Sequence, residues 1–490
     1  MVKKCLLLFL AFLVLMLGGC ANSSGSSAGK IIPPPNQTSP LGGKWTVIQE
    51  LDKNGNTGET TLQWEGSSVQ FTAGAVAFGG HVWDNLSYKI KRVNAADYLM
   101  TKYIPFSDVS IPETQEVDVI TVYAASNFLG EFMKIDDANM ISFVQNKGLL
   151  LKKVSDQADG LLGTADRNVQ DLNQDSNEGT SGVLLGLRIP SGSGYIYRTI
   201  WVAADHHQLH PVLAAEQIFF PRTSGFWQLR VQDISAGGKT GNLLTARNVE
   251  TKTPEMKKEK DGTEAQEGTE PAVRIIHYIG NDYIATEKDH DGVRQLQVLP
   301  VDKLSSATEI KVSDLMGDKG LSAYLYAREH AAEALSDKGV RLIDRDDSGE
   351  NFGLVRKNGH WFLVGRINHQ SGGEIAQTDF DLKIIPPSNL IFYDTLVLSW
   401  HHIKDRVPDA MDAFTSPNKD IALVKTKNKL MIYPIGSEQL AENPLGEIDL
   451  QEGAAVIMAE WATGSYVDSW EKSFLSFGAQ ALPSSSVRIR

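Results

Sequence analysis

Residues 140–154 read MISFVQNKGLLLKKV. Two apolar runs, 140–145 and 149–154, flank Asn146-Lys147-Gly148, a connection so short and turn-rich that the runs must be antiparallel neighbours. The same grammar extends back from this hairpin. Asp136-Asp137-Ala138-Asn139 separates it from a run at 129–135, and further strand-like runs occupy 117–123, 98–104, 82–93 and 60–71. The first run goes from Trp45 to Leu51 and ends in Asp52-Lys53-Asn54-Gly55-Asn56, another hairpin signal. About eight sequential strands predict an up-and-down meander over 43–154. A small antiparallel β-barrel is the expected form, because closure removes exposed strand edges.

Gly43-Lys44-Trp45, at the head of the first strand, resembles the Gly-x-Trp of lipocalin-like barrels. The resemblance implies that Trp45 plugs the closed end and that the interior is a candidate pocket for an apolar ligand. Asp97-Tyr98 is similar to the family's second motif but comes early in the chain, and no closing Arg is found.

Residues 155–181, rich in Asp, Asn, Gln, Ser and Gly, read as a linker. Strand-like runs resume at 183–189, 195–203, 212–220 and 226–234. Residues 235–271 then lose apolar content, which predicts a disordered insertion. Beyond it an apolar strand, a short turn and a second apolar strand recur around Gly280-Asn281-Asp282, Asn358-Gly359, Lys427-Asn428 and Thr463-Gly464. Spacings compatible with a period of about 35–39 residues resemble those of β-propeller blades. The expectation for 182–490 is a larger propeller-like β-domain of six or seven blades, with helical segments at 323–335 and 400–414 interrupting the pattern.

At the N-terminus Lys3 and Lys4 precede an apolar run that stops at Leu17-Gly18-Gly19-Cys20. Residues 1–19 read as a signal peptide, and the tetrad resembles the lipobox of bacterial lipoproteins. The resemblance implies cleavage before Cys20 and lipidation of its thiol. Residues 20–42, with Pro33-Pro34-Pro35, would then tether the folded body, spanning roughly 25–30 Å. The expected location is extracytoplasmic, anchored to the cell membrane, or to the outer membrane where the cell has one.

The formal charge is −13, and loss of Lys3 and Lys4 with the signal would take it to −15. An acidic surface repels phosphate backbones, so no nucleic-acid partner is expected. Cys5 lies in the signal and Cys20 is the other of the chain's two cysteines, so the mature body would hold no other thiol. That excludes disulfides, a cysteine nucleophile and thiolate metal sites.

Three constellations are candidates for chemistry. Asp205-His206-His207-Gln208-Leu209-His210 groups three imidazoles that could ligate zinc with Asp205 or Glu216, although Pro211 argues against a continuing helix. Asp344, Asp346, Ser348 and Gly349 match the first half of a calcium loop, but Val355 stands where the closing carboxylate belongs; Asp171, Asn173 and Asp175 are a weaker version. Trp400-His401-His402, followed by Lys404, Asp405 and Arg406, would either line a pocket or pack as core with a charged surface. No Gly-x-Ser-x-Gly, P-loop or dinucleotide fingerprint occurs. The expected function is therefore binding of a small ligand or an envelope protein, catalytic residues being none. The alternatives are a surface-anchored hydrolase of glycans or peptides and a structural component of an envelope complex.

Overall fold

The computed structural model describes residues 39–51, 64–78, 81–105, 109, 111–124, 127–144, 147–158, 179–236, 239–249, 272–304, 309–343, 348–436, 439–483 and 485–489. The chain is mainly β. The signal peptide, Cys20 and most of the tether lie outside the described residues, as does 159–178 of the linker.

Nine strands make the first sheet: β1 (Gly43–Leu51), β2 (Ser68–Phe71), β3 (Ala75–Phe78), β4 (His81–Asp84), β5 (Leu86–Asn94), β6 (Glu116–Ala124), β7 (Asn127–Lys134), β8 (Asn139–Val144) and β9 (Lys147–Ser155). They lie in the order β4-β3-β2-β1-β9-β8-β7-β6-β5. The first and last strands pair, with Trp45 opposite Lys153 and Val47 opposite Leu151. The expected full closure is missing at one place. β4 and β5 form the two edges although Asn85 alone, at φ 53°, separates them. The sheet is thus a curled half-barrel, and Lys89, Lys91 and Arg92 on β5 give one open edge the charge that discourages edge-to-edge pairing.

Curvature follows from packing. Phe71 on β2 and Phe132 on β7 meet edge-to-face at 5.2 Å across four ladders, so the face that carries them is concave. Trp45, Val47, Val122 and Leu151 fill it. The Trp45 indole donates to the Leu41 carbonyl at 2.9 Å, and the cation over its ring is Lys153, at 5.5 Å. The opposite face, with Val119, Met133 and Ile141, is covered by a helix, Ala95–Thr101. This helix replaces the strand expected at 98–104. Asn94 caps it by accepting from the Asp97 amide at 3.0 Å, and Ala95, Ala96, Leu99 and Met100 become its buried side.

Five more antiparallel sheets follow in sequence, where six or seven blades were expected. The first contains Thr180–Ser191, Gly194–Asp205 and Leu213–Glu216; the second Ile218–Arg222, Gly225–Ala236 and Lys239–Asn248; the third Val273–Ile279, Tyr283–His290 and Val293–Pro300. The fourth is built from Phe352–Lys357, His360–Ser371 and Glu374–Asp381, and the fifth from Asp412–Thr415, Ile421–Lys425, Lys429–Gly436 and Gly446–Asp449. The next long strand, Ala455–Thr463, returns to pair with Thr180–Ser191 of the first sheet.

Each sheet packs on its neighbours in sequence. Leu184 and Trp201 of the first share a core with Phe220 and Phe226 of the second, and Asn242 of the second donates to the Arg274 carbonyl of the third at 2.8 Å. Val298 of the third packs with Phe352 and Leu363 of the fourth, and Arg356 of the fourth pairs with Asp412 of the fifth. Val183 and Leu185 close the series against Ile421 and Leu423 of the fifth.

Two further expectations change. Residues 239–248 of the stretch read as a disordered insertion are a strand, its register running from Ala236↔Lys239 to Trp227↔Asn248; 250–271 lie outside the described residues. After Thr463-Gly464 the chain forms a helix, Ser465–Ser476, burying Val467 and Phe474 at helical spacing. The expected helix at 323–335 belongs to a longer helical stretch, Val312–Ser336, which is kinked at Gly317 (φ 60°), while that at 400–414 stops at Arg406, before Pro408. Among the described residues no helix is long and apolar enough to cross a membrane.

Candidate functional site

The interior of the half-barrel is nearly full. A cavity of about 80 Å³ remains between Phe71, Phe78, Trp83 and Phe132. A cleft of about 450 Å³ lies instead on the outer face, where the first sheet meets the fourth of the later sheets and the segment 396–404 that leads to the fifth.

One wall comes from pairing register. Thr121 on β6 lies opposite Glu131 on β7, which lies opposite Phe143 on β8, so the three side chains form a row beneath the helix Ala95–Thr101. Lys102 follows the helix and sets its ammonium against Glu131 in an ion pair; the Glu131 side chain is 3% exposed. Lys91 on β5 approaches the same carboxylate at 3.6 Å while lying 4.5 Å above the Tyr98 ring. Burial alone would push the Glu131 carboxyl up, but the Lys102 and Lys91 ammoniums and the Tyr98 hydroxyl outweigh it and hold it below the usual range. Burial pulls Lys102 down from its ordinary value, with Glu131 opposing. Removing either partner would strand a buried charge.

The other wall is the segment 396–404. Ser399 caps the helix Trp400–Arg406 by accepting from the His402 amide at 3.2 Å, and Ile403 anchors it in the core. His401 meets the Tyr123 hydroxyl at 2.5 Å and Asp405 at 3.4 Å. Phe128 packs against both imidazoles, at 5.0 Å from His401 and 4.3 Å from His402. Lys404 donates to the carbonyls of Pro408 at 2.5 Å and Ala410 at 3.0 Å. Both readings of Trp400-His401-His402-Lys404 hold in part: all four line the cleft, and Trp400 also packs against the core that contains Ile403 and Leu440.

The walls are held together at the back. Tyr103 stacks on His360 at 4.4 Å and donates to the Trp361 carbonyl at 2.6 Å. Behind them Arg356 donates to Asp412 at 2.8 Å and to Asp394 at 3.0 Å, and Asp394 in turn accepts from the Trp361 amide at 2.7 Å. Of the three hydroxyls in the lining, Ser399 serves as the helix cap and Thr101 donates to the Tyr98 carbonyl, while the Tyr98 phenol lies beside Glu131. The lining therefore offers aromatic faces and fixed charges rather than an activated nucleophile.

The other sequence candidates disperse. His206 and His207 occupy a turn at φ 45° and 62°. His207 pairs with Asp420 at 3.0 Å, His210 with Glu471 at 2.7 Å, and His206 stands 3.9 Å from Asp205; Glu216 is taken by Arg198 at 2.6 Å. Among the described residues no three such side chains gather around one point as a metal site would require. Asp344 and Asp346 lie outside the described residues, as do Asp171, Asn173 and Asp175. Of that acidic loop, Ser348 and Gly349 are described, and the Gly349 carbonyl accepts from the Val312 amide at the start of the long helix.

Sequence reasoning missed Lys91, Tyr98, Lys102 and Glu131. The capping pattern of Asn94 before Asp97 was the available signal that 98–101 is helical, but nothing local joins Lys102 to a carboxylate 29 residues away. No family model matches this chain, and no curated protein matches it in sequence.

Proposed function

We propose that the protein is a lipid-anchored, extracytoplasmic bacterial lipoprotein that binds a small ligand in the cleft between its half-barrel and the later sheets. The observation that carries the binding part is the cleft itself. Its volume of about 450 Å³ and its mixture of aromatic walls with a few placed charges are those of a small-molecule site. The anchoring part rests on Leu17-Gly18-Gly19-Cys20 at the end of the apolar leader.

The finer fold reading belongs with it. Five sheets in sequence, each packed on the next, with a late strand laced into the first, support a propeller-like ring in which the fold's two ends hold each other. The nine-stranded sheet is a barrel that lacks one ladder. Such modules present rigid walls on which recognition residues can be mounted, though fold does not assign function.

Native mass spectrometry of the full chain, beside a denatured control, tests the binding reading: a retained organic mass is expected in the native sample alone. Cys20→Ser tests the anchor. The variant should leave the membrane fraction and lose lipid labelling while keeping its folded spectrum; unchanged membrane association and labelling would refute the lipobox reading.

A further inference from the structure

Charge in the cleft runs against the charge of the chain. The protein carries a formal −13, yet Lys91, Lys102 and Lys404 face the cleft against one lining carboxylate, Glu131. The buried Lys102–Glu131 pair neutralises itself. Lys91 is different: its side chain is half exposed, and its 3.6 Å approach to Glu131 is an electrostatic contact too long for a hydrogen bond. Its ammonium sits over the Tyr98 ring with donors left for a guest. Lys404, across the cleft, places two donors on the Pro408 and Ala410 carbonyls and has a third. The same lining also has an apolar part, with Phe128, Leu129, Leu398 and Trp400.

On the reading of this cleft as a ligand site, we propose that its ligand is a small organic acid, an apolar body bearing a carboxylate or comparable anionic group. The acid is received by Lys91 and Lys404, and the body lies along Phe128 and Trp400. An ammonium guest would meet the like charges of Lys91 and Lys404. A neutral guest would keep the apolar contacts and forgo a charge-assisted hydrogen bond.

Isothermal titration of the full chain with 4-phenylbutyrate, 4-phenyl-1-butanol and 4-phenylbutylammonium separates these terms, because the three share a body and differ in charge. The acid is expected to bind at least about tenfold tighter than the alcohol, a difference of ~1.4 kcal/mol. The ammonium compound is expected to give no heat of binding, and the acid to weaken as salt rises. Lys91→Met should erase most of the acid's advantage without changing the alcohol's affinity, and Lys91→Arg should restore it; the half-exposed position tolerates both. If the alcohol or the ammonium compound binds as well as the acid, the charge assignment is overturned while the cleft as a ligand site stands. If none of the three binds, the proposal and the ligand-site reading both fall.

Discussion

Replacing Arg356 by Met should cost more than any surface change and should also loosen the cleft. The guanidinium is 9% exposed and its two carboxylate partners, Asp394 and Asp412, are 1% and 13% exposed. It further donates to the carbonyls of Gly359 and Ala413, both at 2.9 Å, and lies 4.0 Å over the Phe414 ring. At 3 Å and an effective dielectric of 20 each ion pair is worth about 5 kcal/mol of attraction, most of it offset by several kcal/mol of desolvation per ion. Removing the cation keeps that desolvation and deletes the attraction, so the loss should be about 3–5 kcal/mol. Total stabilities of about 5–15 kcal/mol make this a large fraction. The loss should depend on pH. Burial already raises the Asp412 carboxyl above its ordinary 3.8, against the pull of Arg356. Without that pull the folded value rises further, and a carboxyl raised in the folded state stabilises below its unfolded value and loses that contribution as pH rises through the folded one. The deficit should therefore be full at pH 7 and shrink toward pH 4. Urea titration followed by tryptophan fluorescence, with Trp361 lying 5.3 Å from the guanidinium, reads both values. A loss under about 1 kcal/mol at pH 7, or one that does not lessen at pH 4, would refute the account. The same variant should bind 4-phenylbutyrate less tightly, because Arg356 and Asp394 hold the Gly359–Trp361 backbone behind the cleft.

Burial raises the Glu460 carboxyl from 4.5 to about 8, so its protonated form contributes stability fully below pH 4.5 and loses it as pH rises through 8. Glu460→Gln should then gain over the parent at pH 9 relative to pH 4. The upper figure is about 5 kcal/mol, reduced by the solvent that part of this side chain meets; parallel pH profiles of the two proteins would exclude the effect. A Cβ on Gly182 would overlap the fully buried Trp201 ring, so Gly182→Ala should lose about 1–3 kcal/mol. Gly74→Ala, with nothing nearby, should leave the thermal midpoint in place.

The parts of this fold that could be read directly are those whose cause is local. Asn358-Gly359 adopts φ 52° and 84°, the paired left-handed conformation that a two-residue hairpin demands, and the flanking strands pair from Lys357↔His360 onward. The β8–β9 hairpin also forms where the sequence placed one, its strands pairing from Val144↔Lys147 onward. Errors began where a short apolar run suits two periods. The run 98–104 has the composition of a strand, and the Asn94 cap decides for helix; after Gly464 the spacing of Val467, Trp470 and Phe474 decides likewise. The missing β4–β5 ladder is harder still, since one residue at φ 53° replaces a turn that composition could not foresee.

The cleft belongs to a third category, because no segment contains it. Its walls meet through Tyr103 with Trp361, 258 residues apart, and Tyr123 with His401, 278 apart. A sequence can show that Trp400-His401-His402 carries useful groups. It cannot show that a half-barrel will dock its outer face there, because that contact is chosen by shape complementarity between surfaces each of which folds for its own local reasons. The buried Lys102–Glu131 pair is tolerated on the half-barrel's own terms: Lys102 lies over the Tyr98 and Phe143 rings and Lys91 adds a second cation at the carboxylate. A ligand that fills the space between the walls should stabilise their contact as well as its own, so 4-phenylbutyrate should raise the thermal midpoint of the parent and raise that of Lys91→Met less.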